Sequence, residues 1–195
     1  IQMMAAFSSV INGGKYYKPH VVKEIRDSQG ELVETINPVL VTETVSEETS
    51  AVMRSMLRAV VDYGTAGYVY MDGYSIGGKT GAAEKIPRDK KSYVVSFMGF
   101  APAEDPEVLV YVIIDTPDCE EYDTSWSAQM VAADIMHKLV PYLGIPADNP
   151  DYERDVYIDA KTLKPVVKRP SSVDVDEVKP DGGKCKIGRA SCRER

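Results

Sequence analysis

Residues 73–85 hold the residue types in this sequence that are best suited to chemistry. The first eight, Gly-Tyr-Ser-Ile-Gly-Gly-Lys-Thr, fit the pattern G-x-x-x-x-G-K-[ST] of a loop that binds phosphate groups. The overlapping Lys79-Thr80-Gly81 also fits a strand motif of enzymes that transfer acyl groups through a serine. A third interpretation is a glycine-rich turn between core elements. The predicted helices and strands on either side of this segment distinguish between nucleotide binding, acyl transfer and a structural turn.

Composition restricts the partners and cofactors. The chain has 195 residues, a formal net charge of −7 and a pI near 5.0, which argues against nucleic acid as a partner. No apolar run reaches the roughly 18 residues of a membrane span. The cysteines Cys119, Cys185 and Cys192 give no disulfide framework. His20 and His137 lack a metal-ligand partner at helical spacing, so we predict surface histidines, with no metal and no cofactor.

Helix and strand signals alternate in the first third of the chain. Gly13-Gly14 ends a first helix whose apolar face is Met3, Met4, Phe7, Val10 and Ile11. An extended segment over 15–26 and a short strand over 32–36 follow. Ser46 is expected to cap a second helix, which Gly64 ends. The apolar face of this helix is predicted to be Val52, Met53, Met56, Leu57, Val60 and Val61.

The middle of the chain predicts an antiparallel sheet covered by a helix. Strands are expected over 74–83, 92–100 and 108–115. The last two must pair antiparallel, because the connection between them is far too short for a helical crossover. An amphipathic helix from Ser125, ended by Gly144, is expected to cover the sheet. The predicted fold class is therefore α+β, with helices packed on an antiparallel sheet.

The phosphate-loop interpretation fails at the helix that must follow such a loop. Backbone N–H groups of a helix beginning at Lys79 would have to face the phosphate. Gly81 would lie in its first turn and Pro87 would interrupt it. One feature favours a nucleotide site: the predicted apolar strand ends at Asp115, as the strand that carries the magnesium-binding acid of such sites does. We retain P-loop nucleotide binding as an alternative and favour the strand.

Further sequence pieces around the motif occur in a fixed order along the chain. They are Gln2-Met3-Met4-Ala5-Ala6, Asn12-Gly13-Gly14, Lys18-Pro19-His20, Val60-Val61-Asp62-Tyr63-Gly64-Thr65-Ala66, Gly78-Lys79-Thr80-Gly81-Ala82-Ala83-Glu84-Lys85, Phe97-Met98-Gly99-Phe100-Ala101-Pro102 and Pro141-Tyr142-Leu143-Gly144-Ile145-Pro146. In these pieces, over residues 2–146, the chain resembles the C-terminal half of the transpeptidase domain of class B penicillin-binding proteins. The helix details are most similar to the elongation or sporulation branches.

The resemblance implies a peptidoglycan D,D-transpeptidase with an incomplete penicillin-binding or serine β-lactamase-like fold. Its substrate would be a stem peptide ending in D-Ala-D-Ala, and β-lactams would mimic that substrate. Lys79 and Thr80 would bind the terminal carboxylate, Gly81 would let the substrate lie against the strand, and the Ala82 N–H would donate to the oxyanion. The family usually has Thr where this chain has Ala82, so we predict weaker acylation by some β-lactams.

The other catalytic motifs of the family are absent from the chain. No Ser is followed by Lys three residues on, and no Ser-x-Asn occurs, so we expect the nucleophile and its base upstream of Ile1. The chain alone is therefore predicted to be inactive. A membrane anchor is expected in the same upstream region, with the domain on the extracytoplasmic face beside other wall-synthesis proteins. A β-lactamase or β-lactam sensor of the same fold, or a noncatalytic wall-interaction module, remain alternatives.

The composition changes near residue 148. We predict that residues 1–147 belong to the transpeptidase domain and that 148–186 form a disordered tail. Within the tail, 156–158 is a candidate strand. Residues 187–195 are interpreted as an artefact of sequencing or cloning.

Overall fold

The computed structural model describes residues 1–88, 92–118, 125–147, 157–158 and 165–166. The helices are α1 (Gln2–Ile11), α2 (Glu47–Asp62) and α3 (Ser125–Tyr142), and the strands are β1 (Lys15–Tyr17), β2 (Glu24–Arg26), β3 (Leu32–Thr35), β4 (Leu40–Glu43), β5 (Gly77–Glu84), β6 (Tyr93–Ala101), β7 (Val108–Asp115), β8 (Tyr157–Ile158) and β9 (Pro165–Val166). The chain divides into two compact units, Ile1–Ser55 and Met56–Arg195. None of the helices in the described ranges is long and apolar enough to cross a membrane.

The first unit relies on hydrogen bonds around the end of α1. Its strands form two small antiparallel sheets, β1 with β4 and β2 with β3, and nearly all of their side chains are exposed. The fully buried Ser50 hydroxyl accepts the Gly13 N–H at 2.9 Å, and the Arg54 guanidinium donates to the Ile11 carbonyl at 3.0 Å. These bonds satisfy polar groups that the end of α1 would otherwise leave unpaired. The predicted extended segment and short strand are confirmed as β1, β2 and β3, whereas β4 was not predicted.

Helix α2 begins as the sequence predicts, but its apolar face is wider than the surface it buries. The Ser46 hydroxyl accepts the Thr49 N–H at 3.2 Å, which confirms the predicted cap. Leu57 and Val61 are buried, whereas Val52 is 53% and Met56 59% exposed. Helical spacing shows which residues share a face, and not how much of that face a neighbouring element covers. Only part of the predicted apolar face is therefore buried.

The second unit is built on the antiparallel sheet β5-β6-β7. Strand β5 pairs with β6 from Gly77↔Phe100 to Glu84↔Tyr93, and β6 pairs with β7 along its whole length. Helix α3 packs on one face of this sheet. The core between them includes Val95, Phe97, Val110, Val112, Ala128, Ala132, Met136 and Val140. The α+β class and the covering helix are confirmed.

The boundaries differ from the prediction in a few places. Strand β5 begins at Gly77 because the backbone and hydroxyl oxygens of Ser75 both accept the Ala103 N–H, at 3.0 and 3.1 Å, outside the regular ladder. A short 3-10 helix, Gly67–Val69, was not predicted. In the predicted tail, β8 pairs with β9 in a separate two-stranded sheet. The rest of residues 148–195 lies outside the described residues.

Candidate active site

Strand β5 carries all four residues that the sequence singles out, Lys79, Thr80, Gly81 and Ala82. Because side chains alternate along a strand, Thr80 and Ala82 share the face of Phe97, which packs against α3, and Lys79 and Gly81 lie on the opposite face. No helix begins at Lys79. The helix N-terminus that a phosphate-binding loop requires is missing, and the P-loop alternative is therefore wrong.

Two glycines fix the start of this strand beneath aromatic rings. The ring of Phe100 covers Gly77 on one face of the sheet, and the ring of Phe97 covers Gly78 on the other. A Cβ at Gly77 would lie 2.7 Å from Phe100 Cε1, and one at Gly78 would lie 2.9 Å from the Met98 carbonyl oxygen. Both rings are completely buried. The two buried rings thus fix the position of the strand immediately before Lys79.

The outer edge of β5 is open among the described residues, since only β6 pairs with it. Residues of an antiparallel strand direct their N–H and C=O groups alternately towards and away from the partner. The Lys85 N–H donates to the Ser92 carbonyl at 2.7 Å, so Lys85, Ala83 and Gly81 face β6. The backbone groups of Thr80 and Ala82 therefore point outward. An added peptide strand would need these groups.

The side chain of Lys79 reaches the open edge, although it starts on one face of the sheet. Its ammonium donates to the outward-facing Thr80 carbonyl at 2.9 Å. This bond turns the side chain around the edge strand, which brings its charge beside the backbone of the next residue. The Thr80 hydroxyl lies 3.4 Å from the Thr65 hydroxyl, in the turn that follows α2. An ammonium, a threonine hydroxyl and free backbone donors therefore meet at one edge.

A polar network holds the segment that leads into β5. The buried Ser75 donates its hydroxyl to Glu104, and Glu104 pairs with Arg58. Arg58 also contacts Asp62 one helical turn away, at 3.3 Å. Partial burial alone would raise the pKa of Glu104, but the hydrogen bonds from Ser75 and from its own backbone N–H, with the charge of Arg58, outweigh burial and lower the pKa.

A second polar cluster ties the far ends of β5 and β7 across β6. The Lys85 ammonium pairs with Asp115 and donates to the Thr116 hydroxyl at 2.8 Å. Hydrogen bonds from Lys85 and then from Thr116 lower the pKa of the Asp115 carboxyl. Thr116 has a φ of +53°, a conformation that costs a β-branched residue energy. The bonds to Lys85, Asp115 and Ser92 hold this residue in place.

The two histidines differ from each other. His20 is exposed, as predicted, and its ring lies 3.4 Å from the Lys18 carbonyl. His137 is half-buried, and its Nε2 atom is buried without a partner in the described ranges. It is therefore not the ordinary surface residue that we expected from the polar side of a helix. The described residues contain no group of three potential metal ligands. Cys119 lies outside them.

Sequence reasoning missed the contributions of Thr65, Ser75 and Glu104. Thr65 belongs to one of the sequence pieces that carry the family resemblance, so its position was available although its contact with Thr80 was not. Ser75 and Glu104 are 29 residues apart in the chain. No local pattern joins them, because their contact depends on how the β6–β7 connection folds back.

These features describe an edge strand that can receive an extended peptide carrying a negative charge. Residues 1–137 match the penicillin binding protein transpeptidase domain, and the chain belongs to this family. The predicted resemblance to class B penicillin-binding proteins is confirmed.

Individual relatives extend the comparison. The chain is 37% identical over 169 residues to stage V sporulation protein D of Bacillus subtilis, which covers 84% of this chain and 26% of that protein. It is 30% identical over 155 residues to penicillin-binding protein PbpB of Mycolicibacterium smegmatis. This alignment covers 73% of this chain and 23% of PbpB. The chain therefore spans about a quarter of the length of these curated relatives.

Solved structures show the same architecture. The crystal structure of penicillin binding protein 3 from Mycobacterium tuberculosis, complexed with ampicillin, is similar with a TM-score of 0.65 and 27% identity. The similarity covers 77% of this chain and 36% of that one. The D,D-transpeptidase domain of a peptidoglycan glycosyltransferase from Eggerthella lenta has a TM-score of 0.57 and 27% identity, and the similarity covers 71% of this chain and 32% of that one.

Proposed function

We propose that the chain is the C-terminal part of the transpeptidase domain of a longer peptidoglycan D,D-transpeptidase, called here the full-length protein. The observation that carries the proposal is the open edge of β5, on which the Lys79 ammonium meets outward-facing backbone groups. A relative from Mesostigma viride named peptidoglycan D,D-transpeptidase FtsI homolog is 27% identical over 173 residues. Its name supports the same reaction for this chain.

In this proposal the substrate is a stem peptide that ends in D-Ala-D-Ala and lies along β5 as an added strand. Lys79 and Thr80 bind its terminal carboxylate. Gly81 has no side chain to obstruct the substrate, and a Cβ at this position would lie 2.7 Å from the Ser96 hydroxyl oxygen. The substrate carbonyl accepts the outward N–H of Ala82, which stabilises the negative charge that develops on that oxygen.

The covalent step uses a serine that the full-length protein supplies upstream. The serine hydroxyl loses its proton to a base and its oxygen attacks the penultimate D-Ala carbonyl, after which the terminal D-Ala leaves with a proton on its nitrogen. The amine of a second stem peptide then attacks the acyl-serine, forms the cross-link and releases the serine. β-Lactams acylate the same serine. The reaction takes place on the extracytoplasmic face of the membrane, beside other wall-synthesis proteins.

The test is to sequence the parent gene through both ends of this segment and to label its product with a fluorescent penicillin. We expect Ser-x-x-Lys and Ser-x-Asn motifs upstream in frame. We also expect labelling that unlabelled penicillin blocks, and no labelling of the 195-residue chain alone. Rapid hydrolysis of the adduct indicates a β-lactamase. A long-lived acyl-enzyme that also cross-links stem peptides indicates a transpeptidase, whereas one that does not indicates a β-lactam sensor. A full-length protein without the serine and without labelling would support a noncatalytic module and overturn the proposal.

A further inference from the structure

The turn after α2 presents one hydroxyl to the motif strand from a fixed position. The N–H groups of Gly64 and Ala66 both donate to the Val60 carbonyl at 3.1 Å. The Ala66 side chain is completely buried in the core of the second unit. Thr65, between these two anchored residues, is exposed. Its backbone is held while its side chain stays open to solvent and to a ligand.

The hydroxyls of Thr65 and Thr80 do not satisfy each other. Their oxygen atoms are 3.4 Å apart, well beyond the roughly 2.7–2.8 Å of a good O–H···O hydrogen bond. In the part of the chain that the structure describes, neither hydroxyl has another hydrogen bond. Each can therefore donate its proton to a third group that binds beside them.

The positive charge of Lys79 indicates which kind of ligand group would bind beside the two hydroxyls. The Lys79 ammonium donates to the Thr80 carbonyl at 2.9 Å, which places a positive charge at the backbone of the residue whose hydroxyl faces Thr65. Donors that act with a cation suit an anion with two acceptor oxygens. We infer that Thr65 binds the substrate carboxylate together with Thr80. This inference rests on the proposed function, from which the carboxylate comes.

The position of Thr65 gives the chain a hydroxyl that its motif lacks. Ala82 has no side-chain donor, so the motif strand offers one hydroxyl, that of Thr80, to the edge. Thr65 adds a second hydroxyl from a separate element. A simpler role would be to orient Thr80 alone, and the two roles differ in one respect. Carboxylate binding affects only ligands that carry the charge, whereas orientation of Thr80 or a packing defect affects all ligands alike.

The experiment measures second-order acylation rate constants of the full-length protein with benzylpenicillin and with its methyl ester, which lacks the carboxylate. Thr65→Val removes the hydroxyl and keeps the shape, and Thr65→Ser keeps the hydroxyl. We expect Thr65→Val to lower the ratio of acid to ester rate constants on the order of tenfold, as for one lost bond to a charged group. Thr65→Ser should retain the parental ratio. The control is Thr42→Val, another exposed threonine whose hydroxyl makes one 3.4 Å contact.

The possible outcomes distinguish the carboxylate role of Thr65 from the proposed transpeptidase function on which it rests. An unchanged ratio in Thr65→Val, or an equal fall with acid and ester, overturns the carboxylate role and leaves the transpeptidase proposal intact. Failure of the parental protein to react with benzylpenicillin overturns the proposed function and the inference with it. Thermal unfolding is measured for each variant, and Thr65→Ala replaces Thr65→Val if the valine variant fails to fold.

Discussion

The two halves of β5 are built in opposite ways. Its first two residues, Gly77 and Gly78, are buried under Phe100 and Phe97, with no room for a side chain on either face. The next residues, from Lys79 to Ala83, leave the outer backbone edge open and carry exposed or half-buried side chains. The buried half fixes the position and direction of the strand, and the open half presents backbone N–H donors to a ligand. Substitutions in the first half should therefore act on folding, and those in the second on acylation.

The largest effect is expected from Phe97→Ala, which removes the β6 ring that covers the buried half of β5. The ring is completely buried between Gly78, Gly99 and the face of α3, and removing such a ring typically costs about 3–5 kcal/mol of stability. Urea unfolding of the full-length protein measures the loss. Tyr142→Ala, which truncates an aromatic residue that is 84% exposed, is the matched control. A loss below about 1 kcal/mol for Phe97→Ala would contradict the claim that the Phe97 ring holds the start of β5 in place.

Gly78→Ala should have the next largest effect, about 1–3 kcal/mol, because the added methyl group overlaps the Phe97 ring and approaches the Met98 carbonyl. The double variant Gly78→Ala with Phe97→Leu sharpens the test. The smaller leucine gives way to the methyl group, so the combined loss should be less than the sum of the two single losses. Strict additivity in urea unfolding would show that the ring and the glycine do not constrain each other.

In the open half, Ala82→Thr should change acylation without changing stability. The backbone N–H of residue 82 remains, and a hydroxyl is added on a strand position that is exposed. We expect benzylpenicillin to acylate the variant about three- to tenfold faster, the range for one net hydrogen bond. Ala83→Thr is the neighbouring control, because residue 83 faces β6 with its backbone and projects to the other face. Equal rates in parental protein and Ala82→Thr would refute the prediction.

The smallest effect is expected from Glu104→Gln, in the network that leads into the buried half. The lowered pKa of Glu104 means that its contribution is fully present above its ordinary value of 4.5 and disappears as the pH falls through the folded value. Because the side chain is 57% exposed, the loss at pH 7 should stay below about 1 kcal/mol.

Unfolding free energies of parental and Glu104→Gln protein should therefore differ at pH 7 and converge as the pH falls below 4.5. Glu107→Gln, an exposed glutamate on the same connection, serves as the control. A difference between the parental protein and Glu104→Gln that persists unchanged to pH 3 would assign the effect to packing and not to charge.

Prediction from the sequence succeeded where the signal is local or periodic. Strand β7 and helix α3 follow from continuous apolar patterns, and the cap at Ser46 follows from one residue type. The four motif residues lie on the strand that the sequence predicts over 74–83. The weak helix signal around Gly81 and Pro87 argued against a phosphate-binding loop. The contacts of Thr65, Glu104 and Lys85 could not be predicted, since each joins residues that only the completed sheet brings together. The exposure of Met56 depends in the same way on coverage by other elements.

The open edge of β5 also bears on solubility. Unpaired N–H and C=O groups on an edge strand can pair with the edge of another molecule and start aggregation. A lysine on such an edge opposes this pairing, because two copies meeting edge to edge would bring their like charges together. Lys79, held on the Thr80 carbonyl, occupies that protective position. The side chain that we propose to attract a substrate strand thus also repels the strands of other copies of the protein.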